Sequence, residues 1–188
     1  MKYVILFFGF LFIVHAGALT EKFVFSPQEI SVNKTDGYDV IEIPNCLYVT
    51  EEGCPMLPRV DYSFVIPPTA ELTSVEIVSF DRKDILGTFN IFPVQPPVPI
   101  SLMNEKREFV LPRPEIYNSK EPYPKEIVTF TPSGSMGGYR LANITVYPIQ
   151  YIPMDKKLLL YTDLTLKISY EDGHHETVSL TKEQIEVM

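Results

Sequence analysis

Several features that define common classes of protein are scarce or absent in this 188-residue sequence. It has no cluster of basic residues and a formal net charge of −8, so nucleic acid is not expected as a partner. Its one long apolar run, near the N-terminus, is shorter than the roughly 20 residues that a membrane-spanning helix needs. It contains no phosphate-binding loop, no nucleophile elbow and no zinc-peptidase helix motif.

The N-terminus has the three parts of a secretory signal. Lys2 supplies a positive charge, residues 3–14 are apolar, and Ala16, Gly17 and Ala18 form a small-residue cleavage site. We therefore predict that residues 1–18 are a signal peptide, with an uncleaved membrane anchor as the alternative. Cleavage leaves a mature chain that starts near Leu19, lies outside the cell or at its surface, and has no further membrane contact.

Side chains that carry nucleophilic or metal chemistry are few. A cysteine nucleophile needs a nearby base, and after loss of His15 only His174 and His175 remain to serve as one. These two lie in an acidic turn, where a solvated hairpin tip is a better interpretation than a weak metal site. We expect no catalytic residue, no metal site and no cofactor in residues 1–188.

The two cysteines, Cys46 and Cys54, meet an oxidising compartment after export. The turn at residues 51–53 lies between them and would bring two strand ends together. We predict a disulfide between Cys46 and Cys54. Two free buried thiols are the alternative.

Proline, in contrast, is abundant at 17 residues, and 45% of the chain is apolar. With few helical patterns, this composition favours an ordered all-β domain with many turns. Strands are predicted at residues 23–32, 38–43, 60–66, 72–80, 85–92, 126–130, 139–147, 164–170 and 177–180. Residues 139–170 are interpreted as an antiparallel meander. Thr181 and Gln184 fit a capping box, which predicts the start of a short C-terminal helix.

The strand pattern stops at residues 93–124, where prolines are dense. Prolines exclude central strands and favour an extended, stiff segment. Long loops of this kind are usually functional or disordered. Apolar residues such as Ile100, Phe109 and Leu111 predict that the segment covers a surface, either of a second molecule or of its own domain.

Short motifs spread over residues 53–170 resemble those of a known family. In chain order they are Gly53-x-Pro55-x-Leu57-Pro58, the strands at 60–66 and 72–79, Tyr123-Pro124 before Glu126-Ile127, Gly138-Tyr139-Arg140, Pro148-Ile149-Gln150-Tyr151-x-Pro153, and residues 158–170. Their order and spacing resemble the propeptides of gingipain-type secreted cysteine peptidases, peptidase family C25. The resemblance implies an antiparallel, jelly-roll-like β-sandwich pro-domain over residues 19–180. Residues 93–124 would be its long proline-rich loop, and residues 181–188 would start a linker or helix toward a downstream catalytic domain.

The resemblance also implies a function. Such propeptides cap the active site of their peptidase, keep it latent, assist its folding and export, and insert a protruding loop into the substrate cleft. By position, the inhibitory loop comprises Pro96, Pro97, Pro99, Leu102, Met103, Asn104, Lys106 and Arg107. The implied partner is the downstream or cognate cysteine peptidase catalytic domain. A free-standing secreted β-sandwich that binds or assembles at a surface without catalysis is the alternative.

The identity of the residue that enters the specificity pocket stays open. Met103 stands nearest the position at which arginine-specific members present a basic residue. Either the cognate enzyme prefers an apolar residue, or Lys106 or Arg107 takes that place. Lys106 and Arg107 also fit a processing site or a solvated charge pair.

Overall fold

The structure, a computed structural model, describes residues 16–98, 108–136 and 139–172. Within these ranges the strands are β1 (Ala16–Val24), β2 (Ser31–Thr35), β3 (Tyr38–Glu42), β4 (Leu47–Tyr48), β5 (Pro58–Ile66), β6 (Ala70–Ile85), β7 (Val128–Met136), β8 (Tyr139–Val146), β9 (Ile149–Ile152) and β10 (Lys157–Asp172). A 3-10 turn at Pro27–Glu29 and a short helix, α1 (Pro114–Tyr117), complete the set. Neither helical element in these ranges is long and apolar enough to cross a membrane.

Two antiparallel sheets form the body of the domain. The first sheet has the strand order β1-β10-β6, and β9 also pairs with β10. The second sheet has the order β4-β5-β8-β7, and β2 and β3 form a separate hairpin. The predicted all-β antiparallel fold is confirmed.

The period-two pattern at residues 164–170 builds one face of the core. Leu164, Leu166 and Ile168 on β10 are fully buried, while Lys167 between them is exposed. The second sheet contributes Ala142, Ile144 and Val146 from β8 to the same core. Because complete burial of a Leu or Ile side chain contributes about 1.5–3 kcal/mol, these rows hold the two sheets together.

The predicted meander over residues 139–170 is wrong. β8 pairs with β5 and β7 in the second sheet, whereas β9 and β10 belong to the first. Pro148 lies between β8 and β9 and has no amide proton with which to continue a ladder. The chain crosses from one sheet to the other at this proline.

Two other predicted strands differ from the structure. Residues 23–32 divide between β1, the 3-10 turn and β2, because Pro27 opens that turn. Residues 85–92 leave the sheet after β6 ends at Ile85. Gly87 has a φ of 146°, and Ile91 makes only an isolated parallel bridge to Asp39.

The predicted signal peptide lies mostly outside the described residues, and the predicted C-terminal strand and helix lie entirely outside them. Of the predicted signal peptide, only Ala16, Gly17 and Ala18 are described, and they open β1 opposite residues 169–171 of β10. The predicted strand at 177–180, the helix start at 181–188, His174 and His175 all lie outside. These expectations stay predictions.

Candidate functional site: the base of the proline-rich arm

The two ends of the proline-rich segment lie against the domain. Pro93 forms a β-bridge with Pro55, and Tyr123 forms one with Tyr151. We call residues 96–109 the arm. The residues that join its two ends, which we call the arm base, are Gly53, Gln95, Val110 and Arg113.

Most of the predicted inhibitory loop lies within the arm but outside the described residues. Pro96 is half-buried and Pro97 is exposed where the arm leaves the body. The six others, Pro99, Leu102, Met103, Asn104, Lys106 and Arg107, are not among the described residues. The site is therefore defined by its base.

One side-chain amide fastens the two ends of the arm to each other. Gln95 Nε2 donates hydrogen bonds to the carbonyl oxygens of Pro93 at 2.9 Å and of Val110 at 3.0 Å. The Val110 N–H donates to Gln95 Oε1 at 2.9 Å. Because an amide group offers both a donor and an acceptor, Gln95 pairs with Val110 as a strand residue would. It closes the loop formed by the arm.

Gly53 joins both ends of the arm through its backbone. Its N–H donates to the Val94 carbonyl at 2.9 Å, and its carbonyl accepts from the Arg113 N–H at 3.0 Å. Gly53 has a φ of 75°, a conformation that glycine adopts without a steric penalty. A Cβ there would lie 3.1 Å from the Leu111 carbonyl oxygen. The absence of a side chain allows the outgoing and returning ends to approach the same residue.

Aromatic rings hold the returning end on the body. The Phe109 ring lies 5.9 Å from that of Tyr38 and 5.7 Å from that of Phe92, measured between centroids. Arg113 also donates a hydrogen bond to the exposed carboxylate of Glu51. Aromatic pairs contribute about 0.5–1.5 kcal/mol, whereas exposed ion pairs contribute about 0–1 kcal/mol. The rings are therefore the stronger of the two attachments.

Asp39 fixes the segment that leads into the arm. It is 4% exposed, and its carboxylate accepts hydrogen bonds from the Asn90 N–H and the Lys34 ammonium, both at 2.7 Å. Burial acts to raise the pKa of Asp39, but the bonds from Asn90 and Lys34 outweigh burial and hold the pKa below its ordinary value. The Phe92 N–H donates to the Asp39 carbonyl at 2.9 Å. β3 thus holds residues 90–92 by both side chain and main chain.

Two tyrosines, the half-buried Tyr117 and the buried Tyr151, hold the same segment from the other half of the chain. Tyr117 Oη donates to the Ile91 carbonyl and Tyr151 Oη to the Phe89 carbonyl, each at 2.8 Å. Burial raises the pKa of both tyrosines, so the hydroxyls stay protonated and remain donors. The arm therefore starts from a segment whose backbone is fixed on several sides.

Cys46 and Cys54 are both free thiols in the structure, the alternative to the predicted disulfide. β4, which follows Cys46, pairs with β5 so that Leu47 lies opposite Arg59. Cys54 instead accepts a backbone hydrogen bond from Val94 at 2.8 Å, beside the arm base. Burial raises the pKa of both thiols, that of Cys46 to about 11. The protonated thiols have little of the thiolate character that nucleophilic chemistry requires.

Sequence reasoning missed most of the residues that build this site. The sequence indicates a turn at Gly53 and an apolar segment that includes Phe109 and Val110, but Gln95 and Asp39 carry no local signal. In the part of the chain that the structure describes, no group of three or more His, Cys, Asp or Glu residues is placed to hold a metal ion. The arrangement presents a loop and holds its two ends in place.

Comparison with known proteins finds relatives that are similar in sequence and solved structures that are similar in fold. Gingipain R2 of Porphyromonas gingivalis is 27% identical over 138 residues, which are 71% of this chain and 18% of the relative. Lys-gingipain of the same species is 26% identical over 155 residues, which are 79% of this chain and 9% of the relative. The chain thus spans less than a fifth of these curated relatives.

Two solved structures share the fold. One is a complex of the Porphyromonas gingivalis RgpB pro- and mature domains, with a TM-score of 0.69 and 21% identity over 90% of both chains. The other concerns the zymogenic latency of gingipain K from that species, with a TM-score of 0.69 and 24% identity over 85% of this chain and 92% of that chain. The sequence profile of the family described as Propeptide_C25 matches residues 22–188. This chain therefore belongs to the C25 propeptide family, and it is the non-catalytic pro-region rather than the peptidase.

Proposed function

We propose that this chain is the pro-domain of a secreted gingipain-like cysteine endopeptidase and keeps that peptidase latent by placing the arm in its substrate cleft. Membership of a propeptide family supports the pro-domain role. The observation that carries the inhibitory role is the arm base. Gln95 and Gly53 hold both ends of a proline-rich loop at one place on a folded body.

The arm base lowers the cost of binding. Extended segments bind clefts through main-chain hydrogen bonds, with side-chain pockets giving specificity. A loop that is already closed at its base, and is stiffened at Pro96 and Pro97, loses less conformational entropy when it docks. Covalent linkage to the peptidase raises the effective concentration to about the millimolar range, so moderate intrinsic affinity is enough for latency.

The proposal assigns the pocket residue to Met103, Lys106 or Arg107. A long basic side chain suits a specificity pocket that contains a carboxylate, because a charge-assisted hydrogen bond then replaces hydration. Met103 suits an apolar pocket, which its flexible side chain fills without a charged partner. Substitution of each residue by Ala, followed by measurement of the inhibition constant, identifies the anchor.

Export and folding assistance belong to the same proposal. Cleavage of the predicted signal peptide after Ala18 places the domain outside the cell or at its surface, together with its peptidase. The domain has its own buried core in both sheets, which is consistent with a unit that folds early and presents the arm to the peptidase.

The test is titration of residues 19–188 against the cognate peptidase or a related gingipain. We expect slow, tight inhibition that weakens at least tenfold when residues 96–107 are replaced by a Gly-Ser sequence of equal length. Val65→Ser, which removes a 61%-exposed apolar side chain at the far end of β5, is the control and should inhibit normally. Inhibition that survives the Gly-Ser replacement would contradict the role of the arm.

A free-standing secreted binding module is the second candidate. It predicts a chain that does not inhibit any gingipain-type peptidase before or after the Gly-Ser replacement. Detection of a catalytic domain encoded in the same reading frame after Met188 would exclude it.

A further inference from the structure

The arm is the covalent connection between two halves of the domain that are interleaved in space. Residues 16–98 supply β1 to β6, of which β2 and β3 form the separate hairpin, and residues 108–172 supply β7 to β10. The first sheet places β10 between β1 and β6, and the second pairs β5 with β8. Each sheet therefore contains strands from both halves.

The contacts between the halves run along nearly the whole of β5, β6, β8 and β10. β10 pairs with β6 from Leu158 opposite Ile85 to Asp172 opposite Ala70. β8 pairs with β5 from Val146 opposite Val60 to Arg140 opposite Ile66. Separating the halves would break both ladders and expose the fully buried side chains of β10. Core burial on this scale, rather than the peptide link through the arm, holds the halves together.

The arm base also connects one half to the other. Gln95 bonds to Val110, and Gly53 bonds to Arg113. Phe109 stacks on Tyr38 of β3. The residues at both ends of the arm are thus held by non-covalent contacts that do not depend on an unbroken arm.

We propose that the domain stays assembled after its arm is cut, and that the residues of the arm base keep their contacts, Gln95 with Val110 and Gly53 with Arg113. Hydrolysis of one arm peptide bond consumes one water and leaves a carboxylate and an amine, and it breaks none of the contacts named above. If the domain inhibits through its arm, as proposed in the preceding subsection, then arm cleavage alone does not end inhibition. Release of the peptidase then requires a separate event outside the arm.

The test uses the mature chain, residues 19–188, with the recognition sequence of a site-specific endopeptidase inserted between Val98 and Pro99. All natural arm residues are kept. After complete cutting, we expect the two pieces to co-elute in native size-exclusion chromatography at micromolar concentration and to separate only under denaturing conditions. We expect the inhibition constant to rise less than about tenfold, because the strongest determinants of position are retained. Pieces that separate under native conditions would overturn the proposal.

Measurements on the uncut and cut chains distinguish failure of this proposal from failure of the proposed function. An uncut natural chain that does not inhibit contradicts the proposed function, while co-elution of the pieces still supports the assembly. An uncut insertion variant that inhibits and loses all inhibition on cutting overturns the present proposal. If the insertion after Val98 weakens inhibition before cutting, the same sequence inserted between Arg107 and Glu108 provides the measurement.

Gln95→Ala tests whether the contacts at the arm base are needed for inhibition in addition to assembly of the two halves. The variant loses the hydrogen bonds that the Gln95 side chain makes with Pro93 and Val110. In the uncut chain the intact peptide chain of the arm still joins the two halves, so we expect inhibition to weaken only a few-fold. In the cut chain we expect inhibition to weaken at least tenfold more while the pieces still co-elute. Equal effects in cut and uncut chains would contradict the positioning role of Gln95.

Discussion

The core between β8 and β10 and the base of the arm are stabilised in different ways. The core rows are apolar and fully buried on alternating residues, as with Leu164, Leu166 and Ile168. At the arm base the attachments are hydrogen bonds from the Gln95 amide and the Gly53 backbone, beside an aromatic ring, Phe109, that stays 38% exposed. Burial of apolar area therefore sets the stability of the domain, whereas a few directional bonds set the position of the arm.

This difference predicts that stability and inhibition respond to different substitutions. A residue of the core should change unfolding without changing the inhibition constant of the molecules that remain folded. A residue of the arm base should change inhibition more than its modest effect on unfolding suggests. Urea denaturation and the inhibition constant, measured on the same variants, distinguish the two kinds of residue.

Leu166→Ala should have the largest effect on stability. Leu166 is fully buried between the sheets, and truncation of such a residue costs about 2–5 kcal/mol because a cavity remains. Urea denaturation measures the change. Lys167→Ala, on the neighbouring exposed position of the same strand, is the matched control and should change the free energy of unfolding by less than about 0.5 kcal/mol. An equal loss in both variants would contradict the assignment of the buried face of β10.

Asp39→Asn should have the next largest effect, and its size should depend on pH. The variant loses the charge that accepts hydrogen bonds from Asn90 and Lys34, at a cost of about 2–3 kcal/mol at pH 7. The pKa of Asp39 is lowered in the folded state. Its contribution is therefore fully present above the unfolded-state pKa of about 3.9 and is lost as the pH falls through the lower folded pKa.

The measurement is the free energy of unfolding of both proteins between pH 7 and pH 3. We expect a constant difference from pH 7 to about pH 5 and a smaller one below about pH 4. A difference that grows on acidification would contradict the assignment of Asp39 as a stabilised carboxylate. Because β3 holds residues 90–92, the variant should also inhibit more weakly at pH 7.

The sequence was sufficient for most of the strands and for the family, but not for the order in which the strands pair. Alternation along residues 164–170 identifies the buried face of β10, because period two is a local property of an extended chain. The assignment of β8 and β10 to different sheets depends on a crossover at Pro148, and no periodicity reports which strand lies next to which. The expected meander failed for this reason.

The arm base was beyond sequence reasoning for a related cause. The Gln95 amide bonds to Val110, 15 residues further along the chain. Asp39 and Asn90 are 51 residues apart in the sequence, with β4, β5 and β6 between them. Such contacts are set by the register of distant segments, and glutamine and aspartate are common on surfaces. Among the arm-base residues Gly53 carries the clearest signal, since a glycine in a turn is typical of a positive φ. The turn does not indicate the two backbone partners of Gly53.

Two glycines with similar backbone conformations, Gly37 in the exposed turn between β2 and β3 and Gly53 at the arm base, test whether the close approach at Gly53 sets the position of the arm. Gly53 has a φ of 75° and Gly37 a φ of 83°. A left-handed conformation costs a non-glycine residue about 1–2 kcal/mol, so Gly37→Ala and Gly53→Ala should share that loss of stability. At Gly37 an added Cβ meets no atom within 4 Å, whereas at Gly53 it lies 3.1 Å from the Leu111 carbonyl oxygen.

The two alanine variants should therefore differ by about 1 kcal/mol in the free energy of unfolding, because the Leu111 backbone must move to make room. The larger contrast should appear in inhibition. Movement of Leu111 shifts the returning end of the arm relative to Val94, so Gly53→Ala should inhibit several-fold more weakly while Gly37→Ala inhibits normally. If both variants inhibit equally well, the close approach of the two ends at Gly53 contributes to stability alone, and the position of the arm is set by Gln95 and Phe109.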